Sequence, residues 1–168
     1  MQTNNFPFAK SIAPVLIAAV VFGGCSTPVP PSAIATVGPA AEYGGPQAGQ
    51  GRLVVFSAYE VSWVGDPDFV HHTRYAICDA DGKLIRRVVN FYSDFDPSPV
   101  TAIVPAGHYI IKARAAKYGM ISIPVVIAAS LTTALYLDGV PHDETRGLDP
   151  KKSVTLPKGE IVGWRARE

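Results

Sequence analysis

Residues 108–115 alternate strictly. Tyr109, Ile111, Ala113 and Ala115 point one way, while His108, Lys112 and Arg114 point the other, with Ile110 the one apolar residue on the polar side. A period of two marks a β-strand with one wet face. The same chemistry recurs on both sides of it. Residues 52–59 form a first strand, with Leu53 and Val55 on one face and Val54 and Phe56 on the other. Residues 73–78 and 83–90 flank Asp79, Ala80, Asp81 and Gly82, whose Asp and Gly suit a tight turn, so they read as a hairpin. Residues 99–104 lead through Pro105, Ala106 and Gly107, a second tight turn, into the alternating strand. Residues 120–127 and 131–138 complete the set, and Pro124, which has no N–H to donate, predicts an edge strand or a bulge. No segment after residue 25 repeats with the helical period. The expectation is an all-β fold: a single antiparallel β-sandwich of about seven strands over residues 52–139. Residues 140–168 are mostly polar and read as a C-terminal tail, in which Ile161, Val162 and Trp164 could supply one short strand, with Trp164 buried.

The chain ahead of this domain is built differently. Between residues 25 and 51, Pro28, Pro30, Pro31, Pro39 and Pro46 alternate with glycines and small residues. Too few bulky apolar groups are present to offset the entropy of ordering, which predicts a disordered, Pro/Gly-rich linker. Before it, Lys10 precedes an apolar run of 11 residues from Ile12 to Phe22, then Gly23, Gly24 and Cys25. About 20 apolar residues are needed to span a bilayer, so residues 1–24 read as an export signal peptide. Cys25 directly after two glycines resembles the lipobox of bacterial lipoproteins. That resemblance implies acylation of the Cys25 sulfur, which becomes the mature N-terminus, and contact with the membrane through the acyl chains. Ser26, where Asp is absent, implies sorting to the outer membrane, with the domain facing the periplasm or the surface.

Charge excludes one class of partner. Of 15 Lys and Arg and 14 Asp and Glu, only Lys10 falls in the signal, so the remaining chain is balanced. A balanced chain without a basic run has no electrostatic footprint for nucleic acid. Cys78 would be the one remaining thiol if Cys25 is acylated, and Tyr75 and Ile77 beside it predict burial as a small hydrophobe.

Candidate chemistry is sparse. Asp66, Asp68, His71 and His72 are the densest set of metal-ligand types, but their spacing is no standard zinc pattern, and adjacent His71 and His72 in a strand would face opposite ways. Asp79 and Asp81 begin like a calcium loop yet lack its later ligands, which leaves a turn. Ser57, Ser62, Ser93, Ser98 and Ser122 sit in no nucleophile elbow, and His108 has no nucleophile to serve. No metal site, catalytic residue or cofactor is expected. Trp63, Phe69, Tyr92 and Phe95 are gathered instead in the segments 61–70 and 91–96, beside Asp and Ser. Aromatic rings beside polar groups suit binding of a protein or a glycan, so these four form the expected binding surface at one end of the domain.

Residues 104–113 (Val-Pro-Ala-Gly-His-Tyr-Ile-Ile-Lys-Ala), then Ala116, Lys117, Tyr118 and Gly119, then Val125, Val126 and Ile127, and Leu131, Thr132 and Thr133 resemble carboxypeptidase-regulatory-like or prealbumin-like domains, the PEGA-type modules among them. The resemblance implies a small β-sandwich acting as an accessory module. It brings no catalytic residues with it. The expected function is a non-enzymatic, lipid-anchored envelope protein with a structural or binding role, whose partner is an envelope protein or a glycan. The competing expectation is a small periplasmic hydrolase or metal-dependent enzyme using residues 66–72.

Overall fold

The computed structural model describes residues 34–41, 48–62, 69–90 and 98–167, with the side chains of Val61, Ser62 and Phe69 outside that description. Strands dominate it, and the helical content is one 3-10 turn at Asp143–Thr145 among the described residues. In chain order the strands are β1 (Val37–Gly38), β2 (Gln50–Phe56), β3 (Tyr59–Ser62), β4 (Phe69–His72), β5 (Tyr75–Cys78), β6 (Leu84–Val88), β7 (Ala102–Pro105), β8 (Gly107–Ala115), β9 (Gly119–Ile127), β10 (Thr132–Tyr136), β11 (Ser153–Thr155) and β12 (Ile161–Arg165). They form a seven-stranded sheet in the order β11-β12-β1-β9-β8-β5-β6, a three-stranded sheet β10-β2-β7, and the two-stranded hairpin β3-β4.

Local turn chemistry explains the hairpins. Asp79 Oδ1 accepts from the N–H groups of Asp81 (3.1 Å) and Lys83 (2.8 Å), and Gly82 takes φ +84°, so β5 and β6 fold back on each other as expected. β8 and β9 pair antiparallel along their whole length, from Gly107↔Ile127 to Ala115↔Gly119. In β8, Ile111, Ala113 and Ala115 are buried, while His108 and Arg114 are exposed. Tyr109, on the buried side by alternation, is only half-buried, because it lies at the strand's start and its hydroxyl donates to the Pro105 carbonyl at 2.9 Å.

Both larger sheets contribute to one buried cluster. Leu53 and Val55 from β2 and Leu135 from β10 join Ile77, Ile111, Ile123 and Val125 of the larger sheet. Cys78 is buried and unpaired, as a small hydrophobe would be.

Pro105, Ala106 and Gly107 form a tight turn that crosses between sheets, since β7 belongs to the three-stranded sheet and β8 to the seven-stranded one. Four expectations need correction. The pairing is not wholly antiparallel, since β10 runs parallel to β2 and β1 parallel to β9. Parity accounts for the first case. The connections β7-β8, β8-β9 and β9-β10 each reverse the chain, so β10 opposes β7; β2 also opposes β7, and therefore β2 and β10 agree.

The segment expected to be a disordered linker is ordered over residues 34–41, where Ile34 and Val37 enter the core and β1 bridges β9 and β12. Those two branched side chains supply the burial that the surrounding glycines and prolines cannot. Residues 140–168 carry two strands rather than one; both belong to the seven-stranded sheet, and Val154, Leu156 and Val162 are core residues. With β1 and the C-terminal pair included, the strands among the described residues number twelve rather than about seven. Pro124 stands in β9 opposite Ile110, in a strand whose other side pairs with β1 only at Val125, so its missing donor removes little.

A candidate binding hollow and its polar clasp

Three connections meet where β8 and β10 end and β12 begins. Residues 116–118 turn between β8 and β9, with Gly119 at φ +69°. The segment after β10 turns at Gly139, φ +76°, and the β11-β12 connection turns at Gly159, φ +91°. Ala116 N–H donates to Leu137 O at 2.8 Å, tying the first connection to the second, and Leu156 N–H donates to Glu160 O at 2.9 Å, closing the third on itself. Between them lies a hollow of about 300 Å³. Leu137, Leu156 and Val162 line it from the buried side, and Lys117, Tyr118, Val140 and Glu160 are among its rim residues.

On the rim, Tyr118 Oη donates to Glu160 Oε2 at 2.5 Å, and Lys117 Nζ stands 3.0 Å from Glu160 Oε1. The Lys158 N–H donates to the Tyr118 oxygen at 2.9 Å, and the Lys158 ammonium lies 5.4 Å from the Tyr118 ring centre. Tyr118 first, and then Lys117 and the Glu160 backbone N–H, hold the Glu160 carboxyl down to about 2 against the opposing effect of burial. Tyr118 moves the other way, raised first by desolvation and then by its hydrogen bond to the carboxylate.

Tyr136, another lining residue, also belongs to an aromatic cluster. Phe56 stacks on Tyr136 with ring centres 5.1 Å apart, and His142 tilts against both, at 4.6 and 4.5 Å. His72 meets Phe56 edge-on and stacks on Tyr59 at 4.5 Å. Beneath the rings, the buried Asp138 carboxylate faces His142 Nε2 at 3.1 and 3.0 Å and accepts from the Val140 N–H at 3.1 Å. Burial first, and the Asp138 charge second, raise the pKa of Tyr59. His72 Nδ1 lies 2.6 Å from the Ser57 carbonyl, which can only accept, so this nitrogen carries the proton. Ser57 Oγ in turn donates to Thr73 O at 2.6 Å.

The polar side chains around the hollow and the ring cluster are engaged with one another or with the backbone. Glu160 is engaged by Tyr118 and Lys117, Asp138 by His142, and the Ser57 hydroxyl by a backbone carbonyl. The Thr145 hydroxyl donates to the His142 backbone carbonyl at 2.8 Å, and among the described residues no hydroxyl or thiol hydrogen-bonds to the His142 ring, whose Nε2 faces Asp138. Among the described residues, no group of three or more His, Cys, Asp and Glu converges as metal ligands would.

The residues singled out from the sequence fall elsewhere. Cys25, Trp63, Tyr92 and Phe95 lie outside the described residues, as do Asp66 and Asp68 of the competing metal loop; Phe69 begins β4, its side chain outside the description. His71 and His72 are adjacent in β4 and face opposite ways, with His72 buried. His108 is exposed opposite Val126. Trp164 is half-buried on β12 rather than fully buried. Sequence reading missed Tyr118, Asp138, His142 and Glu160. The one local signal was the four-residue spacing of Asp138 and His142 across Gly139 and Pro141.

No family model matches the chain, and no curated protein or solved structure matches it either.

Proposed function

We propose that the chain is a non-enzymatic, lipid-anchored protein of the bacterial cell envelope, whose two larger sheets pack as a β-sandwich of the carboxypeptidase-regulatory-like kind and bind an envelope protein or a glycan. The observation that supports binding over catalysis is the hollow beside Tyr118 and Glu160, apolar on its buried side and rimmed by polar groups already engaged with one another. An apolar hollow with a few fixed polar groups is the general form of a recognition site. Rim groups that already satisfy each other orient a ligand without offering it a free base or nucleophile. The anchor rests on the apolar run that ends at Gly23, Gly24 and Cys25, which supports acylation there and residence at the outer membrane, facing the periplasm or the surface.

The test has two parts. Mass spectrometry of the N-terminal peptide should find acyl chains on Cys25, and Cys25→Ser should leave an unprocessed or soluble chain. A photo-crosslinking residue at Val140, on the rim of the hollow, should give a discrete adduct with an envelope protein or a glycan in cells. Ala116→Trp, which fills the hollow from its rim, should abolish that adduct without moving the melting temperature. Absence of any adduct at Val140 sinks the binding reading. Stoichiometric metal in the purified protein would instead favour the hydrolase or metal-dependent enzyme alternative, built on a loop whose His72 is buried between rings with Nδ1 engaged.

A further inference from the structure

The outer face of the seven-stranded sheet is basic, although the chain as a whole is not. Ile111, Ala113, Ile121 and Ile123 are buried, so the alternate positions of β8 and β9 face outward. In register, Arg87 of β6 lies beside Ala76 of β5, Ala76 beside Lys112 of β8, and Lys112 beside Ser122 of β9. In the neighbouring row Arg114 lies beside Met120, and exposed Arg74 stands two positions before Ala76. Four cations thus share one face over three strands, interleaved with apolar Met120 and Ile110, and no Asp or Glu occupies an outward position there. Asp79 and Asp81 lie in the β5-β6 turn at its end, where Asp79 is engaged by its own backbone. Among the described residues none of the four is in an ion pair; the Lys112 ammonium donates to the Gly82 carbonyl at 3.3 Å.

The tether points to what covers this face. Ile34 is the first described residue and enters the core, and β1 lies in this same sheet between β9 and β12. Nine residue steps separate Ile34 from Cys25, a span of at most about 30 Å at full extension. An acylated Cys25 would therefore hold the basic sheet within one domain diameter of the bilayer, at high effective concentration. At the tether end of the same face, Trp164 pairs with Gly38 and is half-buried, an amphipathic side chain of the kind that favours membrane interfaces.

We propose that the Arg74, Arg87, Lys112 and Arg114 face docks on the anionic phospholipid surface of the membrane that carries the anchor, so that the domain lies on the bilayer with the β5–β9 side down. The proposal rests on the anchor at Cys25. Arginine and lysine on a surface strand lay apolar stems along the sheet and extend their charges to lipid phosphates. Each such cation near an anionic leaflet shifts the docked fraction about fivefold to tenfold, and the attraction fades within a Debye length of salt.

The test uses the full-length lipidated protein with Ser122→Cys labelled by an environment-sensitive dye, the buried Cys78 being shielded from the reagent. It is reconstituted in vesicles of neutral phosphatidylcholine, or of the same lipid with about one third phosphatidylglycerol, each carrying headgroup-quencher lipids. Flotation with neutral vesicles reports the anchor alone, so failure there overturns the anchor and is seen separately. Docking predicts quenching of the dye in anionic vesicles only, its loss in high salt, and at least a hundredfold fall in the docked-to-free ratio in Arg87→Glu/Lys112→Glu/Arg114→Glu. Equal quenching in neutral and anionic vesicles overturns the proposal, as does a triple variant that still docks. A dye response to soluble polyphosphate or acidic polysaccharide, with anionic vesicles inert, also overturns it and assigns the face to a polyanion.

Discussion

Tyr118 and Glu160, 42 positions apart in the chain, are joined by a 2.5 Å hydrogen bond in which the phenol donates to the carboxylate. The bond fastens the β8-β9 turn to the start of β12 across the mouth of the hollow. It thus couples the C-terminal strands to the centre of the larger sheet.

That bond has a sign in acid. The Glu160 carboxyl is held at about 2, against an ordinary value of 4.5, chiefly by Tyr118 and then by Lys117. A group whose folded value is depressed contributes stability above its unfolded value and loses it as pH falls through the folded one. Stability from this clasp is therefore complete above pH 4.5 and drains away between about 4.5 and 2. Tyr118→Phe should raise the Glu160 value toward 4.5 in an NMR titration and flatten the fall in urea stability across that window. An unchanged Glu160 titration would show that Tyr118 is not the controlling partner.

Tyr75 offers a contrast, because its hydroxyl is buried with no hydrogen-bond partner. Burial pushes its pKa well above the ordinary range, and Arg86 offsets this only in part. Removing an unsatisfied buried hydroxyl relieves a desolvation cost. Tyr75→Phe should stabilise the domain by about 1 kcal/mol, read as a higher urea midpoint at constant m-value. A loss of stability would place a bound water on that hydroxyl.

His142→Ala should be destabilising by about 2 kcal/mol or more, since it strips a partner from the fully buried Asp138 side chain and removes two ring contacts. His142→Gln, which keeps a donor, should recover part of the loss. Equal melting temperatures for the two variants would assign the effect to ring packing alone.

Truncation after residue 139 removes Val154, Leu156 and Val162 from the core and leaves β1 without its antiparallel partner. Losing three buried aliphatic side chains costs about 1.5–3 kcal/mol each, a total comparable with the ~5–15 kcal/mol stability of a small domain. The truncated chain should lose its cooperative thermal transition. A cooperative transition near the full-length midpoint would return residues 140–168 to the status of a tail.

The local features were legible in the sequence because their causes are local. Alternation along 108–115 oriented β8, and Asp79 with Gly82 closed the β5-β6 turn. Both depend on side chains a few residues apart. The hollow was not legible, because Tyr118, Val140 and Glu160 meet only after connections from both larger sheets come together and the C-terminal hairpin has joined the seven-stranded one.

Sequence by itself determined the all-β class, most strand positions and the burial of Cys78, through period-two patterning and turn residues that act over a few positions. Tertiary structure alone decided which strands are neighbours. A two-residue strand such as Val37–Gly38 has no periodicity to read, and its place beside β9 and β12 depends on partners about 90 and 130 residues away. The parallel match of β2 and β10 likewise depends on the parity of the connections between them. Two branched side chains, Ile34 and Val37, turn part of a Pro/Gly-rich segment into core because the sheets leave buried space for them. Their neighbours in sequence could not foretell it, since hydrophobic burial follows proximity in space.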